Sequence, residues 1–102
     1  MFKSYKVKKT MIKGKNYRLW IADTDQKKKL GLSGVRKLPP RHGMLFVYDK
    51  PVSHEFTMEK TAIPLTIIFL DKNFEVIEVF KCRPYQKQKV KPKSDFMYVI
   101  EI

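Results

Sequence analysis

The sequence predicts an α+β fold that is mostly β. It forms one compact domain over residues 1–102, an antiparallel sheet curled into a partial barrel, with one short helix near residues 24–32. Three observations predict it. Tyr17-Arg-Leu-Trp-Ile-Ala22 alternates with period two, so Tyr17, Leu19 and Ile21 share one face of a strand and Arg18, Trp20 and Ala22 the other. Met44-Leu-Phe-Val-Tyr48 and Thr66-Ile-Ile-Phe-Leu70 are short apolar runs of strand length, suited to burial on both faces. Between Asp23 and Leu32 the strand period lapses and helix-start chemistry replaces it. At 43% hydrophobic residues, a 102-residue chain can bury a small core without disulfides or metal.

In chain order, Tyr5 to Ile12 alternates roughly and reads as a strand, paired in a hairpin with the next through a turn at Gly14-Lys-Asn16. The helix takes Thr24 or Asp23 as its cap, with Asp25 suiting the positive N-terminus. Gly31 or Gly34 ends it, and Leu30 is its expected anchor. Ser33 to His42 is a loop stiffened by Pro39-Pro40. Asp49 to Val52 reads as a turn and Glu55 to Met58 as a strand. Asp71-Lys-Asn-Phe74 is a hairpin turn, with Asn73 suited to positive φ, before a return strand Glu75–Phe80. Residues 81–95 form a basic loop, and Phe96 to Ile102 is a final strand, making about seven strands.

The chain carries a formal charge of +12, unevenly spread. Residues 49–80 hold six acids and three bases, so the excess lies in the two ends and in Lys27-Lys28-Lys29. Such a surface attracts polyanions: nucleic acid, anionic surfaces or an acidic protein. The residues expected to carry it are Lys27, Lys28, Lys29, Arg36, Lys37, Arg83, Lys87, Lys89, Lys91 and Lys93. Eighteen of the 22 bases are Lys, whereas base-reading contacts favour Arg, and the plain alternative is a solvated surface that keeps the protein soluble. The lone Cys82 cannot form an internal disulfide, and the N-terminus lacks an apolar signal stretch. The longest apolar run, Ile67–Leu70, is too short to span a bilayer, so a soluble, cytoplasmic protein is expected, monomeric by default.

No catalytic residue, cofactor or metal site follows from the motifs. His54-Glu55 begins H-E-x-x-H, but Met58 stands where the second histidine belongs. Read as a strand, the segment puts Ser53, Glu55, Thr57 and Glu59 on one face and His54, Phe56 and Met58 on the other. Glu55 and Glu59 then lie roughly 13 Å apart, too far for paired acid–base chemistry. Lys81 and Arg83 beside Cys82 predict a partly exposed thiol of lowered pKa, without a base placed to use it.

The motifs do resemble a family. Leu19-Trp-Ile-Ala-Asp-Thr24, Lys29-Leu-Gly-Leu-Ser33, Gly43-Met-Leu-Phe-Val47, Phe56-Thr-Met58 with Thr61, and Pro64-Leu65 with Ile67–Asp71 follow in order the pattern of domain-of-unknown-function family 192. The likeness covers about residues 17–80, and Val99–Ile102 is similar to the family's C-terminal V-L-E-L strand. It implies a small α+β domain around a barrel-like sheet and carries over no catalytic residue. Many relatives have an N-terminal signal or anchor and run on past the equivalent of Ile102; the chain resembles a trimmed form. Thr57 stands for the family's Trp, Glu59-Lys60 for Lys-Asn, and Thr66 for the Asp after Pro-Leu.

Three readings of function follow. The first is a non-enzymatic binding or accessory domain with an anionic partner. The second is a small-ligand binder or enzyme, with a cleft between residues 41–43 and 53–61 lined by Arg41, His42, Glu55, Thr57, Glu59 and Thr61. The third is a structural or assembly subunit.

Overall fold

The computed structural model describes residues 2–102. Six strands and one helix follow in the order β1 (Val7–Ile12), β2 (Lys15–Ala22), α1 (Asp25–Leu30), β3 (His42–Val52), β4 (Leu65–Leu70), β5 (Val76–Cys82) and β6 (Phe96–Glu101). They form one sheet of order β1-β2-β3-β6-β4-β5. The last strand therefore fills the centre, antiparallel to both β3 and β4.

The local chemistry explains most elements. The β1–β2 hairpin turns at Lys13 and Gly14, both at positive φ (50° and 77°), as a two-residue hairpin turn requires. Thr24 caps α1, its hydroxyl accepting the Lys27 amide at 3.1 Å. The Asp71 carboxylate shapes the β4–β5 turn by accepting the amides of Asn73 and Glu75 at 2.8 and 3.0 Å. The residue at positive φ there is Phe74, not Asn73.

The fold is mostly β in one domain, but it departs from expectation in four places. The sheet is mixed, because β2 and β3 run parallel. Residues 23–41, containing α1, return the chain across the sheet, and such a crossover is what a parallel pair needs. The sheet is also open rather than curled into a partial barrel, with β1 and β5 as unpaired edges. Lys8 and Lys9 on β1, and Glu78 and Lys81 on β5, put charges on both edges, which discourages closure. Glu55–Met58 is not a strand. Both sides of β3 are taken by β2 and β6, and the segment keeps a single bridge, Phe56 to Val90. Asp49–Val52 continues β3 through a register shift against β6 instead of turning. Pro51 lacks the amide that regular pairing would use there.

Side chains alternate across the sheet. Met44, Phe46, Ile67, Phe69 and Val99 point to the larger core, which Leu32, Val35, Met58 and Val90 from the loops help to cover. Leu19, Leu45, Ile68, Leu70 and Ile100 fill a smaller cluster on the opposite face. Where β3 meets β6 the backbones crowd: a β-carbon on Gly43 would overlap the Glu101 carbonyl and come within 2.6 Å of Ile102 Cγ2. Glycine is thus the residue that lets the two strands close at this point.

The helix anchor is Leu32, one residue beyond Gly31, and not Leu30. Leu32 is 2% exposed and Leu30 53%. Gly31 ends the helix and redirects the chain, so the next apolar side chain, rather than the last helical one, enters the core. Leu32→Ala should cost about 2–5 kcal/mol in urea denaturation, and Leu30→Ala under about 0.5 kcal/mol.

Candidate functional site

On the larger-core face, a cleft of about 830 Å³ opens between α1 and the segment after β3. α1 and its C-terminal turn supply Lys28, Lys29 and Leu32; the segment after β3 supplies His54 to Thr57 and Glu59 to Thr61. Phe46 and Tyr48 of β3 and Glu101 of β6 line it from the sheet. The wall after β3 holds its shape through backbone bonds: Phe56 and Val90 exchange bonds at 2.8 and 2.9 Å, Tyr85 donates to Thr61 at 2.9 Å and Gly34 to Lys60 at 3.1 Å. An aromatic cluster underlies it, with Phe56 set edge-on to Phe46 and Phe69.

Glu101 is the unusual member. It pairs with Met44 and Ile67, so its side chain shares their core-facing side. It is 6% exposed. Among the described residues no side chain or backbone group bonds or pairs its carboxylate, which keeps some access to solvent, and Glu101 lines the cleft. Burial, with no cation close enough to oppose it, lifts its pKa from the ordinary 4.5 to about 8. Burial and then the Glu101 charge push the Tyr48 phenol up to about 12. Cys82 is buried and its thiol is raised, by burial first, then by Glu101, against a smaller lowering by Arg83. The expected lowered, partly exposed thiol fails because Cys82 is buried, and burial outweighs what Arg83 contributes.

The expected cleft residues divide. Glu55, Thr57, Glu59 and Thr61 lie on this cleft. Arg41 and His42 lie elsewhere: the His42 ring packs on Trp20 at 5.2 Å with Nδ1 3.0 Å from the Pro40 carbonyl, and the Arg41 carbonyl accepts the Arg18 amide. His54 is exposed, its ring 5.8 Å from that of Tyr48, and among the described residues no three metal-binding side chains gather.

The basic residues do not act as one run. Lys28 donates to the Val47 carbonyl at 2.9 Å and sits 4.2 Å above the Tyr48 ring. Lys27 turns the other way, to the Ser4 carbonyl, the Tyr5 ring and Asp23. Lys29 and Lys89 line the cleft, Lys37 borders a separate cavity of about 220 Å³ beside Trp20, and the Lys93 amide is tied to Glu78 at 2.9 Å. Arg36, Arg83, Lys87 and Lys91 are exposed. No helix among the described residues is long and apolar enough to cross a membrane.

Sequence reasoning missed Glu101. Its signal was available: one acid between Ile100 and Ile102, two positions from Val99, on the core-facing side of an apolar strand.

The sequence profile of DUF192, described as "Uncharacterized ACR", matches residues 7–102. The chain belongs to this family. No functionally curated protein matches it. Two crystal structures are similar to this DUF192 domain. One is of a "putative transcription regulator" from Sinorhizobium meliloti 1021, at TM-score 0.80 and 22% identity, over 96% of this chain and 81% of that one. The other is of a protein of unknown function from Novosphingobium aromaticivorans, at TM-score 0.80 and 25% identity, over 92% and 69%. The first likeness, at its identity, is one of fold.

A carboxyl neutral when folded and ionised when unfolded stabilises the DUF192 domain least at high pH. Between 4.5 and about 8 the folded state holds the extra proton. Stability should therefore fall by about 1.4 kcal/mol per pH unit as pH rises, on the order of 4–5 kcal/mol in all. Glu101→Gln removes the term. Urea midpoints at pH 5, 6.5 and 8 should show the variant gaining steadily on the wild type; parallel profiles would contradict the buried titration.

Proposed function

We propose that this domain is a small-ligand-binding module whose site is the cleft between α1 and residues 54–61. One observation carries this: a nine-tenths buried carboxyl, without a partner among the described residues, faces a cleft of about 830 Å³. Burying an unpaired ionisable group costs a fold several kcal/mol, and an apolar residue there would cost nothing of the kind. The volume suits a small organic molecule, and the lining joins an apolar wall from Leu32, Phe46 and Phe56 to a few polar groups. The reading is one of binding, because Glu101, Tyr48 and Thr61 offer hydrogen bonds and charge, while Cys82 lies outside the lining.

The test is a fragment screen by NMR on the wild-type domain. Binders should move the signals of Leu32, Tyr48 and Thr57 together, the best with Kd at or below about 1 mM, equivalent to about −4 kcal/mol. A diverse set that leaves these signals still would defeat the reading.

A second reading, an anionic macromolecular partner for the basic surface, is favoured by one fact. Among the described residues a single ion pair, Lys27–Asp23 at 4.0 Å, uses any of the basic side chains, so most of the charge is uncompensated. Filter retention of single-stranded nucleic acid should then fall steeply between about 50 and 200 mM salt. No retention at the lower salt excludes it.

A further inference from the structure

We propose that the group bound against Glu101 is the head of an organic ammonium ligand, preferably alkylated, held by the carboxylate and the aromatic walls of the cleft. This rests on the ligand-binding reading above and names the chemistry of that site. Three observations converge on it. Among the described residues no cation pairs with the carboxyl, so a cation from outside would supply a counterion. The cleft that Glu101 lines has aromatic walls: Phe46 and Phe56 stand nearly perpendicular at 5.5 Å between centroids, and Tyr48 lines the same cleft. Aromatic faces attract ammonium groups, more strongly when water is excluded. The chain itself shows that these faces accept one, since the Lys28 ammonium lies 4.2 Å over the Tyr48 ring. An alkylated ammonium loses less hydration than a primary one on entering such a site, and a fully alkylated one cannot satisfy itself by donating to backbone carbonyls as Lys28 does.

The charges around the cleft bear on this differently. Asp25, Lys28 and Lys29 come from the helix side. His54, Glu55, Glu59 and Lys60 come from the segment after β3, and Lys89 from the loop after β5. The mouth thus carries both signs, and at physiological salt its exposed charges are screened over about 8 Å. Tyr48 and Cys82 are also coupled to Glu101, and both hold their protons more tightly because of burial first and its charge second. A cation that docks on the carboxylate releases the Glu101 proton to solvent. Its affinity therefore rises with pH until the carboxyl is ionised.

Tetramethylammonium, tert-butanol and trimethylacetate have nearly one shape and three charges. Each is titrated into the wild type and into Glu101→Gln at pH 7 and pH 9, following the 1H–13C signals of Leu32, Phe46 and Tyr48. Tetramethylammonium does not titrate. It should bind the wild type best of the three, about tenfold tighter at pH 9 than at pH 7, as the ionised fraction rises around a pKa of about 8. At pH 9 the Gln variant should lose about tenfold or more. The wild-type pH series stands without the variant. If tert-butanol or trimethylacetate binds as well, or the affinity is flat with pH, the ammonium assignment falls while the cleft remains a ligand site. If the fragments that bind the cleft include no cation, the assignment falls likewise. If no fragment binds there, the ligand-binding reading itself has failed.

Discussion

The constraint on which the site depends is the cost of keeping a carboxyl inside the central strand. β6 lies between β3 and β4, and Glu101 leaves it toward the core face, between Met44 and Ile67. Placing an ionised carboxylate there, with little access to water and no counterion among the described residues, is costlier than protonating it, so the group holds its proton near neutrality. The effect spreads outward. Tyr48 and Cys82, on two further strands, resist ionisation first because they are buried and then because a second negative charge near Glu101 would be worse. Gly43 lets β3 approach the Glu101 backbone closely, so the same position is crowded along the sheet while Glu101 also lines the cleft.

The walls of the cleft are held by different forces. The segment after β3 is fastened by backbone bonds to the 83–95 loop and by the aromatic cluster beneath it. Helix α1 is six residues long and buries none of them. Its attachments are Leu32 just past its end, the Thr24 cap, and two ammonium groups that reach carbonyls on opposite sides. Helices this short have little stability of their own, so packing must supply it. An element with so few apolar contacts depends on these few attachments to stay in place.

How much of this the sequence disclosed can be seen residue by residue. The period-two pattern of Tyr17–Ala22 and the apolar runs of β3 and β4 mark their strands, because burial on a sheet imposes that spacing on side chains. Thr24 and Asp25 mark the helix start, since orphan amides demand an acceptor there. Pairing was another matter. Nothing local says that β6, far along the chain, enters the centre of the sheet, or that the crossover through α1 makes β2 and β3 parallel; these depend on contacts between distant residues. The anchor slipped from Leu30 to Leu32 because the turn at Gly31 redirects the chain. In the site, Glu55, Thr57 and Glu59 were legible as a wet face. Glu101 was hidden by its surroundings: an acid in an apolar strand reads as an exposed edge residue until the strand's neighbours on both sides are known.

The shortage of a counterion at Glu101 is not a shortage of cations. The chain carries 22 basic residues against ten acids, yet burial alone sets the shift of this carboxyl. Geometry keeps them apart. Lys28, from the nearest helix, spends its ammonium on the Val47 carbonyl and the Tyr48 ring, and Lys29, Lys60 and Lys89 stand exposed on the walls. An exposed ammonium is strongly hydrated, and carrying it inward costs both its water and the freedom of a long side chain. Exposed charges also lose their influence within about a Debye length, roughly 8–10 Å. A free ligand escapes the tether that holds each lysine at its own backbone position, and an alkylated head group enters with less water to lose. That difference is why a protein so rich in positive charge can leave one acid for a cation that is not its own.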